Sequence, residues 1–449
     1  MKYVFSFCLF FSALTVLAQS EISGAWYDWT KTRKPEKPWM HDYSQTVVMK
    51  LFLCSRDSVG NVKHVYLKFA DALDEIKKID QLTLGIPKII YLVGWQFTGH
   101  DSGYPSWEKV NNNLKRPQDS TALQSLHWLI NEAKKYHTTV SLHINMIDAF
   151  KNSPLWKTYF ENDIIIKNKN GEPIPGEIFD GMQSYQISYA REWKLGYAQK
   201  RINALLKMLP ELKEAGTIHI DAFHSIQPIR SKDTISSPLL GSTVNDEIEA
   251  QRKIFRYWRI KGIDVTSEGD IYWLRKDPFI GLQPMSWHFD MNDFKNEKWI
   301  GKPANFDSLP PSLYCGTPMH AEGEIKEDPE NLDGLLKQFC TEVIPWYYTN
   351  NTKKQNDIVW PQHNDIFLPV LWLKETIVCY SEKGYENKKW KLPARWSNAK
   401  QLSISSLSIH GKKFIKNILV NEREITLSLK AGEAVVITPR VINKMTLIK

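Results

Sequence analysis

The chain has 449 residues, 42% of them hydrophobic, which is enough to bury a large core and to form roughly two or three domains. Its formal net charge is +8 with no dense Lys/Arg block, which excludes the basic tracking surface of a nucleic-acid-binding protein. Seventeen Trp, 18 Tyr and 19 Phe fill a core and also supply flat apolar faces of the kind that stack on sugar rings.

Residues 1–18 read as a secretory signal peptide. Lys2 gives the positive start, Val4 to Leu17 the apolar core, and Val16-Leu17-Ala18 a small-residue cleavage site. The apolar run is too short for a comfortable membrane span. Cys8 lies inside it, away from the cleavage point, which does not support a lipoprotein anchor. A secreted or periplasmic chain without a membrane span is expected.

Residues 19–45 lack clear periodicity and read as an N-terminal arm. Strand-like and helix-like segments then alternate. Val47 to Leu53 is an apolar run, and Phe69 to Ile79 carries apolar residues at helical spacing. Lys88 to Trp95 is a near-continuous apolar strand of the kind buried on both faces. Thr121 to Tyr136 reads as an amphipathic helix and Thr138 to Met146 as a strand. Arg191 to Ala215 is one long helical stretch interrupted by Pro210, leading into the strand at Thr217 to Ile220. Asn245 to Lys261 is the helix before Ile263-Asp264-Val265. Such alternation marks an α/β fold with a parallel sheet, and a (β/α)8 TIM-type barrel over residues 46–364 is the expected closure. A doubly wound sheet is the alternative, but no GxGxxG turn follows a candidate strand.

From about Asp365 the texture changes. Ile425, Leu427 and Leu429 alternate with Thr426, Ser428 and Lys430, and Val435 to Thr438 follows the turn Ala431-Gly432-Glu433. Period-2 runs between turns predict an antiparallel C-terminal β-sandwich over residues 365–449. Cys54, Cys315, Cys340 and Cys379 are far apart and show no metal-ligand spacing, so buried thiols are expected. No cofactor is expected, with a structural calcium left open.

Two strand ends draw attention. Thr217-Ile218-His219-Ile220 ends on Asp221, and Ile263-Asp264-Val265-Thr266-Ser267 ends on Glu268, followed by Gly269-Asp270. Carboxylates on consecutive strand ends stand where barrel enzymes keep their chemistry, and a pair of them suits glycoside hydrolysis. Either residue alone is also compatible with a helix cap or turn. The loop Gly94 to Trp107 adds Trp95, Gln96, His100 and Asp101, a mixture of polar groups for hydroxyls and flat faces for a sugar ring. The same glycines also suit a self-supporting loop. Further strand-end candidates are His143 with Asn145 and Asp148, Trp287 with His288, and His320 with Glu322; a buried, satisfied side chain is the alternative for each. His219 and Asp221, two apart on a strand, share a face.

The sequences Gly99-His100-Asp101-Ser102-Gly103-Tyr104-Pro105, Ile218-His219-Ile220-Asp221 and Ser267-Glu268-Gly269-Asp270 resemble endo-α-N-acetylgalactosaminidases, glycoside hydrolase family 101. The resemblance is specific across roughly residues 88–290. It implies a catalytic barrel followed by β-domains, acting with retention on mucin-type O-glycans. It places the nucleophile on Asp221 and the general acid/base on Glu268, and makes Asp101 a sugar-binding residue. Trp95, Gln96, His100, His143, His219, Asp270 and Trp287 complete the expected substrate contacts, and a glycan or glycoprotein is the expected partner.

Overall fold

The computed structural model describes residues 40–41, 46–223, 235–267, 317–319, 321–351 and 365–440. Its centre is a six-stranded sheet: β1 (Val47–Phe52), β2 (Lys88–Val93), β3 (Thr138–Ile144), β4 (Thr217–Ile220), β5 (Asp264–Ser267) and β6 (Thr317–Met319). The order across the sheet is β5-β4-β3-β2-β1-β6, and every pairing is parallel. The order does not reverse within the sheet as in a doubly wound fold; instead the last strand returns to the free side of the first.

The register divides the sheet into two unlike faces. Met49, Leu51, Ile90, Leu92, Val140, Leu142, Ile144, Ile218, Ile220 and Val265 join the main hydrophobic core. The alternate positions are Lys50, Tyr91, Ser141, His143, Thr217, His219 and Thr266, all buried and mostly polar. Lys50 pairs in register with Tyr91, Tyr91 with Ser141, His143 with His219, and His219 with Thr266. Buried polar groups must find hydrogen-bond partners. Here they find each other: Ser141 Oγ donates to Thr217 O at 2.6 Å, and His219 Nδ1 lies 2.9 Å from Thr266 Oγ1.

Helices cover the apolar face. α1 (Phe69–Leu82) buries Phe69, Leu73, Ile76 and Ile79 at helical spacing. α2 (Ala122–Ala133) starts on a reciprocal cap, with Thr121 Oγ1 accepting from Gln124 N and the Gln124 side chain accepting from Thr121 N. The stretch Arg191 to Ala215, expected as one interrupted helix, falls within three. Beyond Trp156–Glu161 (α3), the chain forms α4 (Tyr189–Lys194), α5 (Tyr197–Met208) and α6 (Glu211–Ala215). Gly196, at φ +79°, breaks the first junction, and Pro210, which has no N–H to donate, breaks the second. α7 (Val244–Ile260) follows, capped by Thr243, and α8 (Ala321–Glu327) comes after β6.

Two small antiparallel units decorate the carboxyl ends of the strands and had no clear sequence signal. One is the hairpin Cys54–Arg56 with Val62–Val65; the other joins Asp148–Ala149, Pro175–Phe179 and Met182–Gln186. The buried Arg56 ties them together, donating from Nε to Asp101 O at 2.8 Å and from Nη2 to Phe179 O at 3.2 Å.

From Asp365 all pairing is antiparallel. β7 (Asp365–Pro369), β8 (Ile377–Ser381), β10 (Gln401–Ser408), β11 (Gly411–Leu419) and β13 (Glu433–Pro439) form a sheet ordered β7-β8-β13-β10-β11. β9 (Tyr385–Lys391) and β12 (Glu424–Leu429) form a ribbon beside it. Period-2 alternation lets the sheet serve two cores. Ile366, Leu368, Val378, Tyr380, Ala434 and Val436 join the core of the parallel sheet, whereas Ile377, Cys379, Val435 and Ile437 pack with Ile425, Leu427 and Leu429 of the ribbon. The C-terminal unit is therefore bound to the rest by a shared apolar core. Cys54, Cys340 and Cys379 are buried free thiols, and Cys315 lies outside the described residues. No helix among the described residues is long and apolar enough to cross a membrane.

Candidate active site

The polar face of the sheet runs into a cluster at the carboxyl ends of the strands. β1 contributes Lys50, the loop after β2 contributes His100 and Asp101, β3 and its loop contribute His143, Asn145 and Asp148, and β4 leads to His219 and Asp221. Asp221 N donates to Ile144 O at 2.8 Å, so the β4 end is tied to the β3 end. Asn145 Nδ2 donates to Asp221 Oδ2 at 3.3 Å, and His143 Nε2 lies 3.9 Å from Asp221 Oδ1. Rings follow one another from the buried floor to the rim: Tyr91 to His219 with centroids 5.1 Å apart, His219 to His143 at 5.2 Å, His143 to His100 at 5.6 Å and His100 to Phe52 at 5.3 Å.

The loop after β2 is shaped by glycine. A Cβ on Gly94 (φ +75°) would stand 2.2 Å from Cys54 O, and one on Gly99 (φ +133°) 2.8 Å from the same atom. Only glycine allows this approach, which lets His100 N donate to Cys54 O at 2.9 Å and sets the imidazole at the rim. Asp101 itself is left-handed, at φ +52°, with its carbonyl held by Arg56 and its carboxylate 3.6 Å from His100 Nε2. The side chains of His100 and Asp221 remain 25% and 21% exposed, against 2% for His143. A ligand arriving from solvent therefore meets His100 and Asp221 first.

Burial dominates the electrostatics. It pushes the Asp101 and Asp148 carboxyls each up to about 7, the Asp101 charge adding to the effect on Asp148. Asp221 is raised too, by burial and then by the Asp101 charge, with Lys50 opposing. Burial lowers His100 and, more strongly, His143, so both imidazoles are neutral near pH 7. Lys50 is lowered by burial, while the charges of Glu322 on α8, Asp221 and Asp101 favour its ammonium form. Asp101, Asp148 and Asp221 thus compete for charge near the buried Lys50 and Arg56, an arrangement that favours proton uptake and release close to neutrality.

The expected site residues meet different fates. His100, Asp101, His143 and Asp221 come together. His219 is fully buried beneath His143, where it orders the cluster from below. Trp95 and Gln96, read from the sequence as substrate contacts, are both fully buried. The Trp95 indole N–H donates to His143 O at 2.9 Å, which makes it a support for β3 with no open face. Glu268, Asp270, Trp287, His288 and His320 lie outside the described residues. Lys50 was missed because a lysine in an apolar run reads as an edge or solvent position; its parity with Tyr91 was the signal available. His100, His143 and Asp221 each offer one ligand atom, all within 4.8 Å of one another, and could together hold a metal ion.

Residues 59–251 match the family model described as endo-alpha-N-acetylgalactosaminidase, glycoside hydrolase family 101. Over this segment the chain is similar to family 101 glycoside hydrolases. The matched segment contains His100, Asp101, His143 and Asp221 and ends before Glu268. Among solved structures, alpha-N-acetylgalactosaminidase NagBb from Bifidobacterium bifidum in its GalNAc complex is 15% identical, with a TM-score of 0.45, covering 67% of this chain and 45% of that one. The GH36 alpha-galactosidase AgaA from Geobacillus stearothermophilus is 11% identical, with a TM-score of 0.42, covering 88% of this chain and 55% of that one. The chain spans about half the length of these structures.

Proposed function

We propose that the chain is a retaining α-glycosidase acting on α-N-acetylgalactosaminyl linkages of mucin-type O-glycans, exported through its N-terminal signal, with a (β/α)8 barrel as its catalytic unit. The observation that carries this reading is Asp221. Its carboxylate stands at the carboxyl end of β4, partly exposed, with one oxygen held by Asn145 and the other facing the rim beside His143. That is the placement a glycosyl-accepting nucleophile needs.

In this mechanism Asp221 attacks the anomeric carbon as the glycosidic bond breaks, and Glu268 gives its proton to the departing oxygen. Glu268 then takes a proton from the water that releases the sugar. Glu268 follows Ser267 in sequence as Asp221 follows Ile220, and Ser267 is the register partner of Ile220. Retention calls for carboxyl groups about 5–5.5 Å apart, a spacing compatible with neighbouring strands. A nearby Asp221 charge raises a carboxylic acid's affinity for its proton, which the acid role requires. His100, at the open rim, and Asp101, buried behind it, bind sugar hydroxyls, with Asp270 and Trp287 proposed as further contacts. No metal takes part.

Incubation with a mucin-type glycopeptide, followed by mass analysis of the released sugar, tests the reading. Release of α-linked N-acetylgalactosamine or of a glycan carrying it, abolished in Asp221→Asn, is the expected result. Release by the Asp221→Asn variant at the wild-type rate sinks it.

A further inference from the structure

Asn145 uses its whole hydrogen-bonding capacity in one geometry. Its Oδ1 accepts from Ile147 N at 2.7 Å and from Asp148 N at 2.8 Å. Two backbone N–H groups on one atom identify that atom as the oxygen and fix which way the amide faces. The two hydrogens of Nδ2 then point to Asp148 Oδ2 at 3.0 Å and Asp221 Oδ2 at 3.3 Å. Asn145 and Asp148 are 2% and 9% exposed, so neither bond competes strongly with solvent. Asp221 is fixed from a second side, since its N–H donates to Ile144 O on the strand carrying Asn145. With Oδ2 committed to the amide, Oδ1 is the oxygen that faces His143 and the rim.

We propose that Asn145 is the positioning residue of the nucleophile, selecting Oδ1 of Asp221 as the attacking oxygen, and that Asp148 holds Asn145 in place for this task. The inference rests on Asp221 being the nucleophile. In the step concerned, Oδ1 forms a bond to the anomeric carbon while the glycosidic C–O bond breaks. The electron pair leaves on the glycosidic oxygen, which takes the proton of the general acid. The Asp221–Asn145 bond keeps the other oxygen from rotating into line. Without it the carboxylate samples orientations in which neither oxygen is aligned, and a displacement of about 1 Å costs on the order of 100-fold in rate.

The test is the rate at which a 5-fluoro glycosyl fluoride of α-N-acetylgalactosamine labels the full-length protein, with the labelled peptide located by mass analysis. Asn145→Ser keeps an oxygen for the turn but lacks the amide N–H that reaches Asp221; its labelling rate constant should fall about 100-fold, with the reagent's apparent affinity changed less than about threefold. Asp148→Ala should show a similar loss. Asp148→Asn, which still offers an oxygen to Asn145 Nδ2, should recover at least about tenfold over Asp148→Ala. Thermal unfolding of each variant separates misfolding from misalignment, and the comparison of the two folded Asp148 variants stands even if Asn145→Ser is unstable. Wild-type labelling on Asp221 that is matched within threefold by a folded Asn145→Ser, or equal losses in the two Asp148 variants, overturns the inference alone. Wild-type labelling on a different carboxylate overturns the assignment of Asp221 as well.

Discussion

Tyr91 Oη on β2 lies 2.6 Å from Thr217 Oγ1 on β4, bridging two strands that do not touch because β3 runs between them. A flat sheet would hold β2 and β4 about 9.5 Å apart, twice the usual strand spacing. The bond therefore spans a concave polar face. The same tyrosine ring lies against His219, which lies against His143, so the curvature of the sheet and the placement of the proposed catalytic rim are coupled through one side chain.

Tyr91→Phe should consequently weaken the fold slightly and the site hardly at all. It removes one buried hydrogen bond, worth about 1 kcal/mol, while the ring that supports His219 stays. A melting temperature lower by about 1–3 °C, with kcat/KM within about tenfold of wild type, is the expected pair of results. A much larger kinetic loss without a change in melting would show that the hydroxyl takes part in the reaction.

The alternation of strand and helix was legible because the apolar face of the parallel sheet keeps strict parity, as in Ile90, Leu92, Val140 and Leu142. The C-terminal strands were legible for the same reason: Ile425, Leu427 and Leu429 are buried and Thr426 and Ser428 exposed. The strand-end positions of His143 and Asp221, and the place of Asp101 in the loop after β2, also followed from those runs. Burial of Trp95 did not, because a Gly-Trp pair after a strand looks the same whether the ring turns to solvent or under β3. Lys50 and the Asn145–Asp148 turn were obscured because their partners lie on other strands, and only register brings them together. The short strands near Arg56 depend on that one buried guanidinium and carry no periodicity of their own.

Asp148 should leave a trace in the pH dependence of stability. Its folded carboxyl titrates at about 7 against an ordinary 3.8, so the native state holds the proton more tightly than the unfolded chain. This contribution is fully present below about pH 4 and is lost as pH rises through 7, amounting to at most about 4 kcal/mol over that window. Asp148→Asn cannot titrate. Asp101, shifted in the same direction, is present in both proteins. The stability of wild type relative to Asp148→Asn should thus be greatest near pH 4 and decline to a minimum above pH 7, measured by thermal unfolding across pH 4–8. A difference that is constant over the range would mean that Asp148 is already ionised in the folded protein at low pH.

Metal removal and metal addition should act differently. Turnover through Asp221 and a general acid needs no cation at the reacting centre, so dialysis against a chelator should leave kcat unchanged within about twofold. Added zinc should inhibit, because two neutral imidazoles and a carboxylate form a ligand set suited to it. The inhibition should be competitive with substrate and weakened about tenfold or more in His100→Ala. Loss of activity on chelation, restored by one particular metal, would instead make the ion part of the reaction.

The two carboxylates should fail in different ways. Asp221→Asn should stop turnover of every substrate, since no covalent glycosyl-enzyme can form. Glu268→Ala should lose most activity on a peptide-linked sugar, whose Ser or Thr oxygen is a poor leaving group and needs a proton to depart. An activated aryl α-glycoside departs without that proton, so the same variant should still form the β-linked glycosyl-Asp221 and then stall, because nothing deprotonates water. Azide needs no deprotonation. Added at high concentration, it should attack the intermediate from the face the aryl group left and give the α-glycosyl azide, restoring turnover by about tenfold or more. The product is identified by its anomeric proton coupling. Appearance of the β-azide in Glu268→Ala would replace retention by inversion, and azide rescue of the Asp221 variant in place of the Glu268 variant would exchange the two roles.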